Sequence, residues 1–480
     1  MLQRLPETIR EAFASDPGRL EEQLDLLKCG TRYARLKASA GINRGIIALD
    51  DERLEASRTR FRRERSQLQL LKFVPASGAA SRMFKALVQA WKTGEMNPAA
   101  DEFISHVELL PLMDGCPESS TIEETWEWMF AREGMDYDGA PKGTIAFHRY
   151  PDENRTAFQE HLVEAARYAA QDGVARLHFT IAAEHLESVK SKMAIWTESY
   201  ASSLGVRYII DYSIQDPFTD TVALDEQGDI VTYSDGTPLL RPGGHGSLIS
   251  NLDSLDADIV FIKNVDNVAP DGLKEDTYAY AEALAGVLLE AISESRSLRE
   301  GPRTESWRAE LMAHLRFLGT DIHHPDLLDD DSLVHLLNRP YRVCGMVLNQ
   351  GEPGGGPFWV EREGMDTLQI VESAQVDIAD EGQKRLLTQG SHFNPVNLVC
   401  WTKDLDGNER SILPFVDRST CFVTRKSWQG QDITVLEWPG LWNGAMADWN
   451  TVFVEVPIST FSPVKTVNDL LRPEHQASDS

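Results

Sequence analysis

Apolar runs of strand length recur at residues 70–74, 144–148, 174–181, 206–212 and 258–263, and helix-length amphipathic stretches separate most of them. Parallel strands need crossovers long enough to hold a helix, and those helices cover both faces of the sheet. The alternation therefore predicts an α/β fold: a mixed, mainly parallel sheet with helices on both faces. Residues 1–68 read as a helical N-terminal segment, with a charge-dense run at 52–65 that fits a solvated helix face. A core from 69 to 400 follows, interrupted by helical insertions at about 86–135 and 275–338, and residues 401–480 form a β-rich α+β region. A chain of 480 residues is long enough for such a core with insertions.

The charge balance narrows the class of partner. A formal charge of −28 opposes nonspecific attachment to nucleic acid or to an anionic membrane, because phosphate surfaces are held by clustered Lys and Arg. Small anionic substrates need local cations from particular loops. No stretch is long and apolar enough to span a bilayer, and the first twenty residues are charged throughout, so the expected compartment is cytoplasmic. The five cysteines are scattered and form no Cys-x-x-Cys pair, which fits reduced thiols better than a disulfide framework or a zinc site.

Four places carry chemistry. After the run at 70–74, the small residues Ala76, Ser77, Gly78, Ala79, Ala80 and Ser81 lead to Arg82 and a helix. Such a turn can offer backbone amides and a guanidinium to phosphate, although tight packing also asks for small residues. It is neither a Walker loop nor a dinucleotide fingerprint. Pro141-Lys142-Gly143 fixes a lysine just ahead of a strand, either as a phosphate contact or as an exposed turn residue. A Gly-rich turn containing Gly244, His245 and Gly246 precedes the run at 258–263, which ends in Val265-Asp266-Asn267. A carboxylate past an apolar strand must be paired or bind metal, and the carboxyl ends of parallel strands are where ligands sit. Near the C-terminus, Lys465 is embedded in an apolar, capped stretch at 463–471. His323-His324 and Asp329 to Asp331 read as surface features, since adjacent residues diverge in extended chain and acidic runs are usually solvated.

Taken in order, these segments resemble the UDP-sugar pyrophosphorylase group of nucleotidyltransferases. The turn at 76–82 is similar to that group's Gly-rich loop, with Ser and Ala in place of two glycines, and Pro141-Lys142-Gly143 to its Pro-Lys-Gly. Glu160-His161-Leu162 resembles the helix after that lysine, and Pro242 to Leu248 resembles the uridine-binding turn, with His245 where the group has Asn. Val265-Asp266-Asn267, Val371-Glu372-Ser373 and residues 463–471 complete the series, Asn468 standing where Ser is usual. The whole chain is more closely similar to a bacterial domain-of-unknown-function family, through residues 73–85, 351–360 and 441–450.

The resemblance implies a Rossmann-like, GT-A-type core and transfer of a nucleotide from a nucleoside triphosphate to a phosphorylated small-molecule acceptor. It implies Mg²⁺ on Asp266, catalytic roles for Arg82, Lys142 and Lys465, and nucleotide contacts from residues 76–81 and from Gly244, His245 and Gly246. Glu372 and Asn394 are expected at the acceptor. A long helical excursion separates the turn at 76–82 from Lys142, so Lys85 competes for the loop-lysine role. A GT-A glycosyltransferase and a noncatalytic nucleotide-binding protein remain alternatives, and His245 leaves the base open.

Overall fold

The computed structural model describes residues 6–117, 120–351 and 354–476; residues 352 and 353, in the stretch 351–360 that carries part of the family resemblance, fall outside it. The apolar run after residue 69 becomes the strand Leu70–Pro75, which lies between Ile259–Lys263 and Val174–Thr180 with all three parallel. Arg207–Ser213 extends this block in parallel beyond Val174–Thr180. Numbered along the chain, these four strands stand in the order 3-2-1-4. Between the first and the fourth the order reverses, the point at whose carboxyl ends open α/β sheets form a ligand crevice.

Asn397–Trp401 then runs antiparallel between Ile259–Lys263 and Tyr341–Leu348, and Asn450–Glu455 and Gly45–Ile47 continue parallel on the far side. The sheet is mixed and mainly parallel, and the molecule is α/β as the alternation predicted.

Both faces are buried because side chains alternate. Leu70, Val74, Ile259 and Phe261 enter one hydrophobic core, while Leu71, Phe73, Val260 and Ile262 enter another on the opposite face. The long helix Glu275–Glu300 packs on the first core and against the helix Asp51–Glu64. Their close approach depends on Gly286, where an added Cβ would lie 1.9 Å from the Ser57 carbonyl oxygen.

Two expectations change. The N-terminal segment carries the expected helices at Glu7–Ala12, Pro17–Cys29 and Asp51–Glu64, but residues 36–47 form the short strands Leu36–Ser39, Gly41–Ile42 and Gly45–Ile47. The run at 144–148 yields Ala146–Arg149, which pairs only with Asn154–Thr156 in a hairpin outside the main sheet. Residues 401–480 contribute Asn450–Glu455 as an interior strand of the main sheet.

Candidate active site

Asp266 sits three residues beyond the strand Ile259–Lys263, at the crevice where the strand order reverses. Its side chain is only 10% exposed, and it is paired from two directions. Lys142 Nζ donates to Oδ2 at 2.7 Å, and Lys465 Nζ lies 3.1 Å from Oδ2 and 3.4 Å from Oδ1. Burial pushes the Asp266 carboxyl up, but Lys465 and Lys142 outweigh it and hold the group below the usual carboxylate range. Burial in turn lowers the Lys142 ammonium, against the attraction of Asp266. One carboxylate facing two ammonium groups leaves a local positive excess on an acidic chain, which favours an anionic ligand.

Three distant segments build this cluster. The small-residue turn at 76–82 is fastened to the lysine turn: Ala79 bridges Pro141, the Ala80 amide donates to the Ala140 carbonyl at 2.9 Å, and the Lys142 amide to the Gly78 carbonyl at 3.4 Å. The intervening helices, Lys85–Thr93, Pro98–Ser105 and Ile122–Phe130, loop out and return, so the long separation in sequence does not part the two turns. Lys142, not Lys85, reaches Asp266; Lys85 stands exposed at the start of its helix. The third segment lies alongside Asp266, where the Val464 amide donates to the Asp266 carbonyl at 3.0 Å and the Ser462 amide to Asn267 Oδ1 at 2.9 Å. Asp469 caps the turn that follows by accepting from the Lys465 and Thr466 amides.

The turn at 76–82 has fewer amides to offer than expected. Those of Ala76 and Ala80 are used on Thr180 and Ala140, so these two leave the set of phosphate donors. Ser77 is half-buried, and Gly78, Ala79, Ser81 and Arg82 are exposed. Ala80–Arg82 is a single 3-10 turn, and the helix proper starts only at Lys85.

Glu372, His245 and Asn443 form a second cluster. His245 Nδ1 accepts from the Leu441 amide at 3.1 Å, which leaves Nε2 protonated and 3.6 Å from Glu372 Oε1. Its ring stacks on Trp442 with centroids 4.4 Å apart. Asn443 Nδ2 donates to the same Glu372 oxygen at 2.8 Å. The contact with His245 is the largest influence on Glu372 and keeps its carboxyl low, against burial. His245 and Glu372, expected on nucleotide and acceptor respectively, therefore meet each other. Gly246 has a packing reason as well: a Cβ there would lie 2.1 Å from the Pro439 carbonyl oxygen.

Asn394 lies between the clusters. Its amide donates to the Gly355 carbonyl at 2.8 Å and its Oδ1 accepts from Val396, while Nδ2 is buried without a hydrogen-bond partner among the described residues. An added Cβ on Gly355 would approach both Glu372 and Asn443, and Asn267 Nδ2 reaches the Pro395 carbonyl at 3.5 Å, so the two clusters are joined through residues 394–395.

Sequence reasoning missed a buried ionic layer behind Asp266. Glu164, on the helix Ala157–Tyr168, accepts from Lys72 at 2.7 Å and Lys263 at 2.8 Å, one from each of the strands flanking the crevice. One turn earlier Glu160 pairs with Lys274, and His161 Nε2 contacts the Val265 carbonyl at 3.1 Å. The signal was present as single lysines inside two apolar strands and carboxylates four apart on one helix.

Among the described residues no group of three or more His, Cys, Asp or Glu can hold a metal ion, and His323 pairs with Asp366 at 3.0 Å. Mg²⁺ is commonly held by one or two carboxylates with substrate phosphates supplying the rest, so an ionised Asp266 fits as the protein's single ligand.

A family model described as a domain of unknown function (DUF4301) matches residues 8–476. No curated protein matches. Among solved structures, uridine diphosphate N-acetylglucosamine pyrophosphorylase from Trypanosoma brucei superposes with a TM-score of 0.47 at 13% identity, covering 95% of this chain and 74% of that one. A mutant UDP-glucose pyrophosphorylase from Leishmania major gives 0.47 at 12% identity, over 97% and 79%. UDP-glucose phosphorylase from Trypanosoma brucei gives 0.45 at 13%, over 98% and 80%.

Proposed function

We propose that this chain, which belongs to the family described as a domain of unknown function (DUF4301), is a nucleotidyltransferase with a GT-A-like core. In this reading it transfers a nucleoside monophosphate from a nucleoside triphosphate to a sugar 1-phosphate or similar phosphorylated acceptor, and pyrophosphate leaves. The observation that carries the proposal is the meeting of Lys142 and Lys465 on Asp266, where the strand order reverses. The segments that meet there are those whose sequence resembles the pyrophosphorylase motifs.

The chemistry requires little from the protein beyond placement and charge. An acceptor phosphate oxygen forms a bond to the α-phosphorus while the bond from that phosphorus to the bridging β-oxygen breaks, and no proton or covalent intermediate is needed. Both reactants are anions, so catalysis rests on holding them in line and neutralising the charge that develops. Lys142 and Lys465 exchange one carboxylate for phosphate oxygens of the α-phosphate and the acceptor. Arg82, exposed on the turn at 76–82, takes the β- and γ-phosphates with the amides that remain there. Asp266, released from its lysines, would hold Mg²⁺, which when bound supplies charge neutralisation across the phosphates. Gly244, His245 and Gly246 face the nucleoside, and Glu372 and Asn394 line the acceptor side.

Purified protein with Mg²⁺, each common nucleoside triphosphate and a panel of phosphorylated acceptors should release pyrophosphate with at least one pair. Lys465→Ala should then lower turnover about 100- to 1,000-fold, the range for removing one preorganised charge-stabilising donor. The Lys465 side chain is 55% exposed, so the variant should fold normally. Nucleotide binding without pyrophosphate release across the panel would favour a binding protein, and release of a nucleoside diphosphate from a nucleotide sugar would favour a glycosyltransferase.

A further inference from the structure

Lys465 lies on a segment that belongs to no sheet, and what fixes it is therefore a separate question. Residues 462–476 run across the molecule as a strap. At its start, Val464 and Ser462 are tied to Asp266 and Asn267. In its middle, the Val467 amide donates to the Met83 carbonyl at 3.1 Å, and Asn468 Nδ2 donates to Ala99 and Glu102 on the helix Pro98–Ser105.

The far end is buried in an unusual way. His475 is 3% exposed and stacks on His148, with ring centroids 5.3 Å apart and planes inclined by 14°. His475 Nδ1 lies 3.0 Å from His148 Nε2, and His148 Nδ1 lies 2.7 Å from Glu160 Oε1. Glu160 is ionised beside Lys274 and can only accept, so His148 Nδ1 donates to it. The chain Lys274, Glu160, His148, His475 thus runs from the molecule's interior to the end of the strap, every member buried.

Its root is the helix that organises the rest of the site. Glu160 is followed by His161, which touches the carbonyl of Val265 just before Asp266, and one turn later by Glu164, which ties the two strands flanking the crevice. Phe158 of the same helix lies against Gly143, next to Lys142. One helix therefore references Asp266, Lys142 and, through His148, the strap carrying Lys465.

We infer that the His475–His148–Glu160 chain is a latch that positions Lys465, and that His148 and His475 are positioning residues for the Asp266 site. The inference rests on the proposed role of Lys465 for its catalytic meaning, but the latch itself is a property of the fold. A polar ring pair is suited to this use because removing either partner leaves the other's nitrogen buried and unpaired, so the docked and released strap differ sharply in free energy.

The test compares full-length His475→Ala and His475→Asn with the parent. Asn can put a polar atom near the position of Nδ1 and should recover part of the docking. Two readouts need no substrate: amide hydrogen exchange across residues 462–476, and the rate at which a lysine-directed acylating reagent labels Lys465, followed by mass spectrometry. In His475→Ala, exchange across the strap should rise at least tenfold and Lys465 labelling should accelerate, with exchange in the strand Leu70–Pro75 unchanged. His475→Asn should fall between. Parent-like exchange and labelling in His475→Ala would overturn the latch whether or not the protein is a nucleotidyltransferase. Where pyrophosphate release is found, His475→Ala should lower kcat more than it raises KM for the triphosphate, and loss confined to KM would remove its positioning role. A released strap in a protein that never forms pyrophosphate would leave the latch standing and count against the proposed function instead.

Discussion

At the residue scale, one buried carboxylate answers two buried lysines. Glu164 is fully buried and is shared by Lys72 and Lys263, and these lysines hold its carboxyl well below the ordinary range despite burial, which alone would raise it. Removing one member of such a set costs more than the set contributes, because the desolvation of the remaining charges goes unanswered. Glu164→Gln should therefore destabilise the fold by about 3–5 kcal/mol, read as a lower urea midpoint. Replacing all three by Lys72→Met, Glu164→Leu and Lys263→Met should recover most of that loss. A Glu164→Gln protein as stable as the parent would mean that the lysines find water or another acceptor. The same scale shows what sequence can and cannot reveal. That Asp266 must be paired or metal-bound follows from a carboxylate placed past an apolar strand. Its actual partners do not follow, since Lys142 and Lys465 come from distant segments and no local spacing links them. His245 was legible as an unusual residue in a glycine turn, but its contacts with Trp442 and Glu372 depend on segments far along the chain.

At the scale of elements, the strands of the parallel block were legible because their burial on both faces leaves near-continuous apolar runs. Residues 36–47 were not, because strands of two to four residues are too short to show a period, and their pairing is supplied by strands hundreds of residues away. The helix pair Asp51–Glu64 and Glu275–Glu300 is a similar case: both helices were expected, but their contact through Gly286 was not. Here two effects of opposite sign can be weighed. Gly286→Ala gains about 1 kcal/mol of helix propensity. It also places a Cβ 1.9 Å from the Ser57 carbonyl oxygen, and because that neighbour is backbone it cannot swing away. Overpacking of this kind costs about 1–3 kcal/mol, and so close a contact belongs at the upper end. The variant should be less stable by about 2 kcal/mol, and a higher denaturation midpoint would show instead that the helices can part without cost.

For the whole molecule, the buried histidines set how stability depends on pH. Burial holds His314 down at about 4. It also holds His475 at about 3, with His148 and Arg472 adding to the effect, and it keeps His161, which faces Lys72, well below the ordinary histidine range. The unfolded chain takes up protons on these rings near pH 6.5, whereas the folded protein does not. Between pH 6.5 and about 4 the unfolded state therefore binds more protons, and stability falls as the pH is lowered. At pH 5 the loss is up to about 2 kcal/mol each for His314 and His475. Carboxylates act in the same direction lower down. Burial opposes ionisation of Glu160, but Lys274 and His148 bring it to about 2, so its stabilisation is present above about pH 4.5 and disappears as the pH falls toward 2. The protein should accordingly show a flat urea midpoint on these groups' account from pH 7 to 8 and a steep decline from pH 6.5 downward. His314 Nε2 meets Ser295 Oγ at 2.8 Å, away from the proposed site, so His314→Gln should flatten the first part of that decline without touching the strap. Equal midpoints at pH 7.5 and 5.0 would mean that the rings reach solvent and protonate in place. If the decline remains in His314→Gln but disappears in His475→Asn, the acid sensitivity belongs to the latch, and lowering the pH should free the segment that carries Lys465 before the core unfolds.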